Sequence, residues 1–320
     1  MRSAFASELV RLAEADERVV LLTGDLGFGV LEPFARRFPE RFFNAGVAEQ
    51  NMVGMATGLA EAGLTPYVYS IATFASMRGY EFIRNGPILH DLPVRVVGVG
   101  GGMDYGHNGM THYAVEDIGI MRVQPNMRIV VPADPAQTRA ALPSLQQIDG
   151  PVYLRLGKES SPVPGLDGRF RLGRAETIGH GEDVALIAAG GGAVVATAAA
   201  ALLQERGLSA RTVVVSSLNP APVADLAAVL DGVELALTVE DHYVNGGLGS
   251  LVAETIAEER LGCRLLRAGL RRPPAGESGS RDHLFERHGL SPAALAALVL
   301  ARLDHAGATA PAHPRHEAAT

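Results

Sequence analysis

The sequence predicts an α/β fold with two wound sheets, each built mainly of parallel strands that are covered by helices. Short β-rich runs alternate with helical stretches along most of the 320 residues, and parallel strands need such crossover helices. A stretch rich in glycine and proline interrupts this alternation once, in the middle of the chain. A chain of this length can form two domains that each bury a core.

The first domain is expected within residues 1–157. Its strands are predicted at residues 19–23, 41–44, 66–71, 94–99, 128–131 and 152–156. Most of these runs consist of apolar and β-branched residues, as is typical of strands that are covered on both faces.

Residues 158–182 are predicted to form an interdomain linker, because they contain Pro162, Pro164 and five glycines. A second, smaller domain is expected within residues 183–305. Its strands are predicted at residues 184–188, 211–215, 235–239 and 263–267, and its helices at 193–206, 223–230, 248–260 and 292–303. Residues 306–320 contain little that could be buried, so we expect a disordered tail there.

Composition excludes several classes of protein. Hydrophobic residues make up 47% and charged residues 20% of the chain, as in soluble globular domains. A net charge of -7 argues against a nucleic-acid-binding surface. Cys263 is the single cysteine, so disulfide bonds within the chain are excluded. The sequence shows neither a secretory signal nor an apolar run that could span a membrane, which predicts a cytoplasmic protein.

Glu49 is an acidic residue on the apolar face of a predicted helix. It lies at helical spacing from Met52, Val53, Ala56 and Ala60. A buried carboxylate needs a charge, a hydrogen-bond donor or a ligand atom as its partner. Two interpretations follow: Glu49 pairs with an arginine or a backbone amide for structural reasons, or it serves a bound ligand.

The residues around Glu49 resemble a known signature. The sequence GVAEQNMVGMATGLA over residues 46–60 resembles the pyrimidine-binding domain of transketolases and their thiamine diphosphate relatives. This resemblance implies that Glu49 contacts N1′ of the cofactor's aminopyrimidine ring. It further implies acid-base catalysis through that ring, which removes the proton from C2 of the thiazolium.

A second motif, TFASMR over residues 73–78, follows a predicted strand. In the resembling family an aromatic residue stacks on the aminopyrimidine here, which implies cofactor binding by Phe74, with Ile71 and Met77 beside it. Met77 stands where many transketolases have a tyrosine, and Ile71 replaces a phenylalanine. The alternative for Phe74 and Met77 is ordinary core packing.

A long glycine-rich loop ends in HNGMTH over residues 107–112. It resembles the transketolase Gly-Glu-Asp-Gly-Pro-Thr-His segment, whose histidine contacts the donor ketose, so His112 is expected to be a catalytic and substrate-binding residue. Asn108 stands in place of an aspartate that contacts the acceptor, and His107 in place of a glutamate. These two differences leave the acceptor open.

Three more residues take family positions. Asp25, after the first strand, matches an aspartate near the cofactor and the subunit contact, with a turn or helix cap as the alternative. Arg2 and Lys158 match positions that bind the sugar phosphate, although both could be solvated surface cations. A family histidine that also touches phosphate is replaced by glycine near Gly100.

The second domain carries Gly190, Gly191 and Gly192 between a strand and a helix. This triplet could cradle a phosphate, but without a full G-x-G-x-x-G the pattern favours close packing of helix on strand. The sequence EDHYVNGGLG over residues 240–249 resembles the transketolase C-terminal domain. No catalytic residue is expected in it.

The chain lacks the Gly-Asp-Gly motif and later asparagine with which thiamine diphosphate enzymes bind Mg²⁺ and the diphosphate. The resemblance therefore implies the small subunit of a split transketolase. A larger partner subunit would hold the diphosphate and Mg²⁺, in an α2β2 heterotetramer acting on a small sugar. Two alternatives remain: the β subunit of a 2-oxo acid dehydrogenase, and a non-catalytic nucleotide-binding subunit that would use the glycine triplet.

Overall fold

The computed structural model describes residues 1–158 and 161–309. Strands alternate with helices in this part of the chain and form two sheets, as predicted. The strands of the first domain are β1 (Val19–Thr23), β2 (Phe42–Asn44), β3 (Thr65–Ile71), β4 (Arg95–Val99), β5 (Arg128–Val130) and β6 (Val152–Leu156). Its helices are α1 (Arg2–Ala15), α2 (Glu32–Arg37), α3 (Glu49–Glu61), α4 (Tyr80–Ile83), α5 (Asp117–Arg122) and α6 (Pro135–Gln146).

The second half of the described chain contains six more strands and five more helices. The strands are β7 (Glu176–Ile178), β8 (Val184–Ala188), β9 (Ala210–Val214), β10 (Ser217–Asn219), β11 (Leu235–Tyr243) and β12 (Arg264–Leu270). The helices are α7 (Gly192–Gln204), α8 (Val223–Leu230), α9 (Leu248–Glu258), α10 (Arg281–Arg287) and α11 (Pro292–Thr309).

The first sheet has seven strands in the order β10-β5-β6-β4-β3-β1-β2. All neighbouring pairs are parallel except β10 with β5. Four of these strands, β1, β3, β4 and β6, are almost entirely buried, because α1 and α6 cover one face and α3 covers the other. This burial explains why their sequences are apolar rather than alternating.

The second sheet has five strands in the order β12-β11-β8-β9-β7. β7 is antiparallel to β9, and its residues lie inside the segment predicted as a linker. The helix α11 extends to Thr309, past the predicted domain end at residue 305. Residues 310–320 of the predicted tail lie outside the described part of the chain.

The two halves of the chain share a sheet and a core. β10 follows β9 in the sequence but pairs with β5 of the first sheet. One apolar cluster contains Met52 and Val96 from the first half and Val213 and Leu251 from the second. The second domain is therefore packed firmly against the first. Within the described residues, no helix combines the length and apolar character that crossing a bilayer requires.

Candidate active site

The candidate site lies at the carboxyl edge of the first sheet. β1 lies between β2 and β3, so the direction of winding reverses at this position. Open parallel sheets bind ligands in the crevice at such a switch point. Asp25, Glu49 and Phe74 follow β1, β2 and β3, respectively. The topology thus brings three residues that were singled out from the sequence to one edge.

Glu49 begins α3 and is buried, with only 2% of its surface exposed. Its Oε1 accepts a hydrogen bond from Ser70 Oγ at 3.1 Å, and its Oε2 accepts one from Arg78 Nη1 at 3.1 Å. Glu49 is also the first residue of α3, where the helix dipole attracts negatively charged groups. Each oxygen retains a second lone pair, so the group can accept another donor.

Arg78 reaches Glu49 from the solvent side. Its side chain is 47% exposed, whereas that of Glu49 is 2% exposed. Phe74 and Arg78 lie in one π-helical segment, Phe74–Arg78, and the guanidinium carbon lies 3.9 Å from the Phe74 ring centroid. The predicted arginine partner of Glu49 therefore exists. Because this arginine is half exposed, it can leave the carboxylate without opening the core.

His112 lies next to Phe74. Their ring centroids are 5.2 Å apart with an interplanar angle of 65°, and His112 Nδ1 lies 3.0 Å from Thr111 Oγ1. Gly109, with φ of 78°, connects two short 3-10 turns in this loop. Glycine adopts this left-handed conformation without strain. The loop thus directs His112 toward the residues that follow β3.

Tyr105 lies near two cationic side chains, those of Lys158 and Arg2. Lys158 Nζ lies 4.4 Å from the Tyr105 ring centroid, in a cation–π contact. Burial raises the pKa of the Tyr105 phenol, and the nearby Arg2 guanidinium opposes this shift. The Tyr105 ring is also 6.2 Å from that of His112. A Cβ at Gly100 would lie 2.1 Å from the Tyr105 ring, so only glycine fits there. Arg2 and Lys158 therefore belong to one cationic cluster beside His112.

The second domain holds this loop in place. Arg281 Nε lies 3.1 Å from Asp104 Oδ1, and Gly279 N donates to Gly106 O at 3.1 Å. Tyr113, the residue after His112, donates its hydroxyl to Glu277 O at 2.9 Å. The domain to which no catalytic residue was assigned thus fixes the position of the loop that carries His112.

A buried ionic network lies behind the loop, between the two domains. Asp117 Oδ2 accepts hydrogen bonds from Tyr153 Oη at 2.6 Å and Arg155 Nε at 2.8 Å. Arg155 also donates to the carbonyl of Asp241 at 2.9 Å, and Asp241 Oδ2 accepts from Met103 N at 3.0 Å. Burial raises the pKa of the Asp241 carboxyl to about 6. These contacts couple the two domains.

The remaining candidate residues lie at the periphery. Asp25 is exposed, with φ of 56°, and its Oδ1 accepts from Asn44 Nδ2 at 2.9 Å. Ile71 ends β3 and is partly exposed, and Met77 is 40% exposed. Asn108 is exposed and its backbone N–H donates to Tyr105 O at 2.8 Å. Hydrogen bonds or ring contacts thus join Glu49, Phe74 and His112 in one cluster, but none joins the side chains of Asn108 and Met77 to it.

Three residues at the site escaped the sequence analysis: Ser70, Arg78 and Tyr105. Arg78 stands four residues after Phe74, a spacing at which helical side chains meet, so the arginine–aromatic pair left a local signal. Ser70 and Tyr105 left none, because their contacts join parts of the chain that are distant in sequence.

The glycines of the second domain serve packing. A Cβ at Gly192 would lie 2.9 Å from Val239 O, and one at Gly191 would lie 2.8 Å from Arg281 Nη2. Glu240 accepts hydrogen bonds from Leu248 N and Gly249 N at 2.7 and 2.9 Å. Burial raises the pKa of this carboxyl to about 7. Atoms of neighbouring residues thus occupy the space beside Gly191 and Gly192.

Comparison with known families covers nearly the whole chain. Residues 1–164 match the family "Transketolase, pyrimidine binding domain", and residues 173–295 match "Transketolase, C-terminal domain". One of the subunits of the apulose-4-phosphate transketolase of Phocaeicola vulgatus is 34% identical over 83% of this chain and 86% of its own. The 6-deoxy-6-sulfo-D-fructose transketolase subunit SqwH of Clostridium sp. strain MSTE9 is 34% identical over 91% of this chain and 90% of its own.

Solved structures agree with this result. A structure described as "Split gene transketolase, inactive beta4 tetramer" superimposes with a TM-score of 0.85 at 37% sequence identity. It covers 95% of this chain and 97% of the other. A transketolase from Pichia stipitis superimposes with a TM-score of 0.80 at 21% identity, and there this chain spans 46% of the other.

Proposed function

The chain belongs to the transketolase family, and we propose that it is the small subunit of a split transketolase that depends on thiamine diphosphate. It would transfer a two-carbon ketol unit from a ketose to an aldehyde. Two features support this proposal. The chain lacks the Gly-Asp-Gly motif for the diphosphate, and relatives that it matches over most of their length are named as transketolase subunits.

The observation that carries the proposal is the environment of Glu49. Its carboxylate is buried at the switch point of the sheet, and the Phe74 ring and the Glu49 carboxylate share one solvent-facing contact, Arg78. The Arg78 guanidinium is thus a flat, cationic group that stacks on Phe74, donates to Glu49 and lies between this carboxylate and the solvent. An aminopyrimidine ring is also flat, and its N1′ donates to a carboxylate once it is protonated, so Glu49 and Phe74 fit the pyrimidine part of the cofactor.

When bound, thiamine diphosphate supplies the nucleophilic carbon and the electron sink for ketol transfer. In this proposal Glu49 holds the proton at the ring nitrogen that it contacts, because a charged carboxylate in a dry site is a strong acceptor. Phe74 orients the ring. Asp25, Ile71 and Met77 lie around the same edge and complete the cofactor pocket.

Arg78 has a role that the sequence analysis did not assign. Its guanidinium stacks on Phe74 and donates to Glu49, which are the contacts proposed for the cofactor ring. We infer that Arg78 provides the ion-pair partner of the buried Glu49 carboxylate when no cofactor is bound. It either shares the carboxylate with the cofactor or turns outward to solvent when the cofactor binds.

The cluster around Tyr105 favours a donor ketose with an anionic end. Arg2 and Lys158 bring two positive charges to Tyr105, beside His112. We propose that His112 contacts the oxygens of the reacting end and that Arg2 and Lys158 bind a phosphate or sulfonate. The exposed Asn108 would contact the acceptor. Relatives named for a phosphorylated and a sulfonated sugar support this substrate class.

Relatives of similar length that are named as subunits support a partner chain. We propose a larger subunit that holds the diphosphate and Mg²⁺, in an α2β2 assembly. Beside Asp25 a cavity of about 230 Å³ is lined by Thr23, Asn44 and Phe28, and 78% of Phe28 is exposed. An apolar side chain so exposed at the edge of the candidate site supports a subunit contact there.

The test is reconstitution. The chain is mixed with a candidate large subunit that carries Gly-Asp-Gly and a later asparagine, together with Mg²⁺ and thiamine diphosphate. We expect ketol transfer from a phosphorylated or sulfonated ketose only when both chains are present. Acylation of lipoamide from a 2-oxo acid, without ketol transfer, would contradict the proposal and favour a 2-oxo acid dehydrogenase.

A further inference from the structure

The second domain carries a cationic cavity that the proposed function does not use. Its volume is about 460 Å³, and it lies between the ends of β12 and α10 and the first half of α11. Four arginines and one histidine line it: Arg267, Arg271, Arg272, Arg287 and His288. The net charge of -7 makes such a concentration unexpected. We name this feature the arginine cavity.

Three of its arginines, Arg267, Arg271 and Arg272, form no ion pair with a carboxylate of the described residues. In residues 1–158 and 161–309, no carboxylate forms an ion pair with Arg271 or Arg272, and Arg271 donates only to the carbonyl of Arg267 at 3.1 Å. Arg267 donates to Val244 O at 3.0 Å. Neighbouring cations repel one another, and this repulsion is relieved when an anion binds between them.

Arg287 and His288 contact the same acceptor, the Glu277 carboxylate. Glu277 Oε2 lies 3.4 Å from Arg287 Nε and 2.9 Å from His288 Nε2. Arg287 and His288 therefore share one carboxylate oxygen, and an anionic ligand that binds Arg287 would leave Glu277 paired with His288.

One wall of the arginine cavity is apolar. Ala294 and Leu298 of α11 form it with Ala268, and 41% of Leu298 is exposed. An inorganic anion would leave this wall in water, whereas an aromatic or apolar group would cover it. Guanidinium groups bind phosphate with paired hydrogen bonds. The lining therefore suits phosphate groups attached to an apolar body.

The segment 277–281 connects the arginine cavity to the glycine-rich loop that carries His112. The Glu277 carboxylate contacts Arg287 and His288 of the cavity lining, and the Glu277 carbonyl accepts from Tyr113. Gly279 N donates to Gly106 O, and Arg281 pairs with Asp104. A ligand that takes Arg287 away from Glu277 would loosen this segment.

The geometry points to a binding site for an organic polyphosphate in the arginine cavity. Its phosphates contact Arg271, Arg272 and Arg287, and its body covers Leu298. Binding of the ligand loosens residues 277–281 and thereby changes the support of the loop that carries His112. Binding at this site does not depend on ketol transfer. An experiment that contradicts the binding site would therefore leave the proposed function untouched, and the reverse also holds.

ADP is the probe, and adenosine and inorganic pyrophosphate represent its two parts. Titration calorimetry on the full chain is expected to show one ADP site, no measurable adenosine binding, and pyrophosphate binding at least tenfold weaker than ADP. The double variant Arg271→Gln/Arg272→Gln should lower ADP affinity at least tenfold. Arg36→Gln/Arg206→Gln removes two exposed arginines elsewhere and should leave the affinity unchanged.

A second variant separates this site from the candidate active site. If Arg2→Gln/Lys158→Gln loses ADP binding while Arg271→Gln/Arg272→Gln keeps it, the anion binds at the active site and the proposal is wrong. Equal affinity for pyrophosphate and ADP would exclude the organic body. ADP should also accelerate hydrogen exchange at the Gly279 amide, and unchanged exchange there would contradict the connection to the loop.

Discussion

Two buried carboxylates, Glu49 and Asp117, show how differently the same group can be used. Both accept a hydrogen bond from a hydroxyl and another from an arginine. The partner of Asp117 is Arg155, whose side chain is 7% exposed, whereas the partner of Glu49 is Arg78, which is 47% exposed. Asp117 is closed inside the protein, while Glu49 needs only one surface side chain to move before it faces a ligand. Burial of an acid alone therefore does not distinguish a functional carboxylate from a structural one.

The largest effect is expected from Glu49→Gln. The amide keeps the size of the side chain but cannot hold the proton, so ketol transfer by the reconstituted enzyme should fall about a thousandfold or more. The protein should still fold and still bind the partner subunit. The control is Glu61→Gln, an exposed residue at the end of the same helix. Transfer at the wild-type rate in Glu49→Gln would show that this acid is structural, like Asp117.

Arg155→Met tests Asp117, the fully buried one of the two carboxylates. Removing the cation leaves the Asp117 carboxylate buried without its ion pair, which should cost about 3–5 kcal/mol of unfolding free energy. Urea denaturation of the isolated chain measures this loss. The matched variant Arg264→Met breaks the exposed pair with Glu234 and should change stability by less than about 1 kcal/mol. Similar losses in the two variants would contradict the assignment of Arg155 to a buried network.

Glu240 makes the stability of the second domain depend on pH. Its pKa is raised from 4.5 to about 7 by burial, so the folded protein holds this proton more tightly than the unfolded chain. Stability therefore decreases as the pH rises from about 4.5 to about 7, by about 3 kcal/mol for such a shift. Burial lowers the pKa of His242, which gives the opposite slope, so a variant is needed to isolate Glu240.

Urea denaturation at pH 5 and pH 8 provides that comparison. Between these values, Glu240→Gln should lose less stability than the wild type, by about the same 3 kcal/mol. Glu234→Gln, which changes a more exposed acid, should keep the wild-type difference. An identical pH dependence in Glu240→Gln and wild type would show that this carboxyl remains charged in the folded protein.

The smallest effect is expected from Phe74→Leu. Leucine keeps apolar surface but loses the flat ring, so thiamine diphosphate affinity should fall about tenfold while the KM for the donor stays unchanged. Phe38→Leu is the control, because Arg41 lies over that ring at 4.1 Å, in another arginine–aromatic contact. An unchanged cofactor affinity in Phe74→Leu would assign this ring to ordinary packing.

Much of the fold could be predicted because its main strands are short apolar runs between helices. β6 and β8 were predicted to the residue, at 152–156 and 184–188. β7 and β10 were not predicted, since each has three residues and is defined by its pairing with a strand that is distant in sequence. A segment that looks like a linker becomes β7 because β9 offers it an open edge.

The candidate site divides in the same way. Position after a strand and helical spacing already singled out Glu49 and Phe74, because both signals are local. Tyr105 could not be recognised, since its contact with Lys158 spans more than fifty residues of chain and exists only after the loop folds against the second domain.

The amino-acid sequence by itself determined the two wound sheets, the acid on an apolar helix face and the loop that carries His112, because these features follow from patterns among neighbouring residues. Only the tertiary structure decided that Glu49 meets a half-exposed arginine and Asp117 a buried one. The chemistry of the two pairs is alike, and the difference lies in solvent access, which is set by how distant segments pack over each side chain.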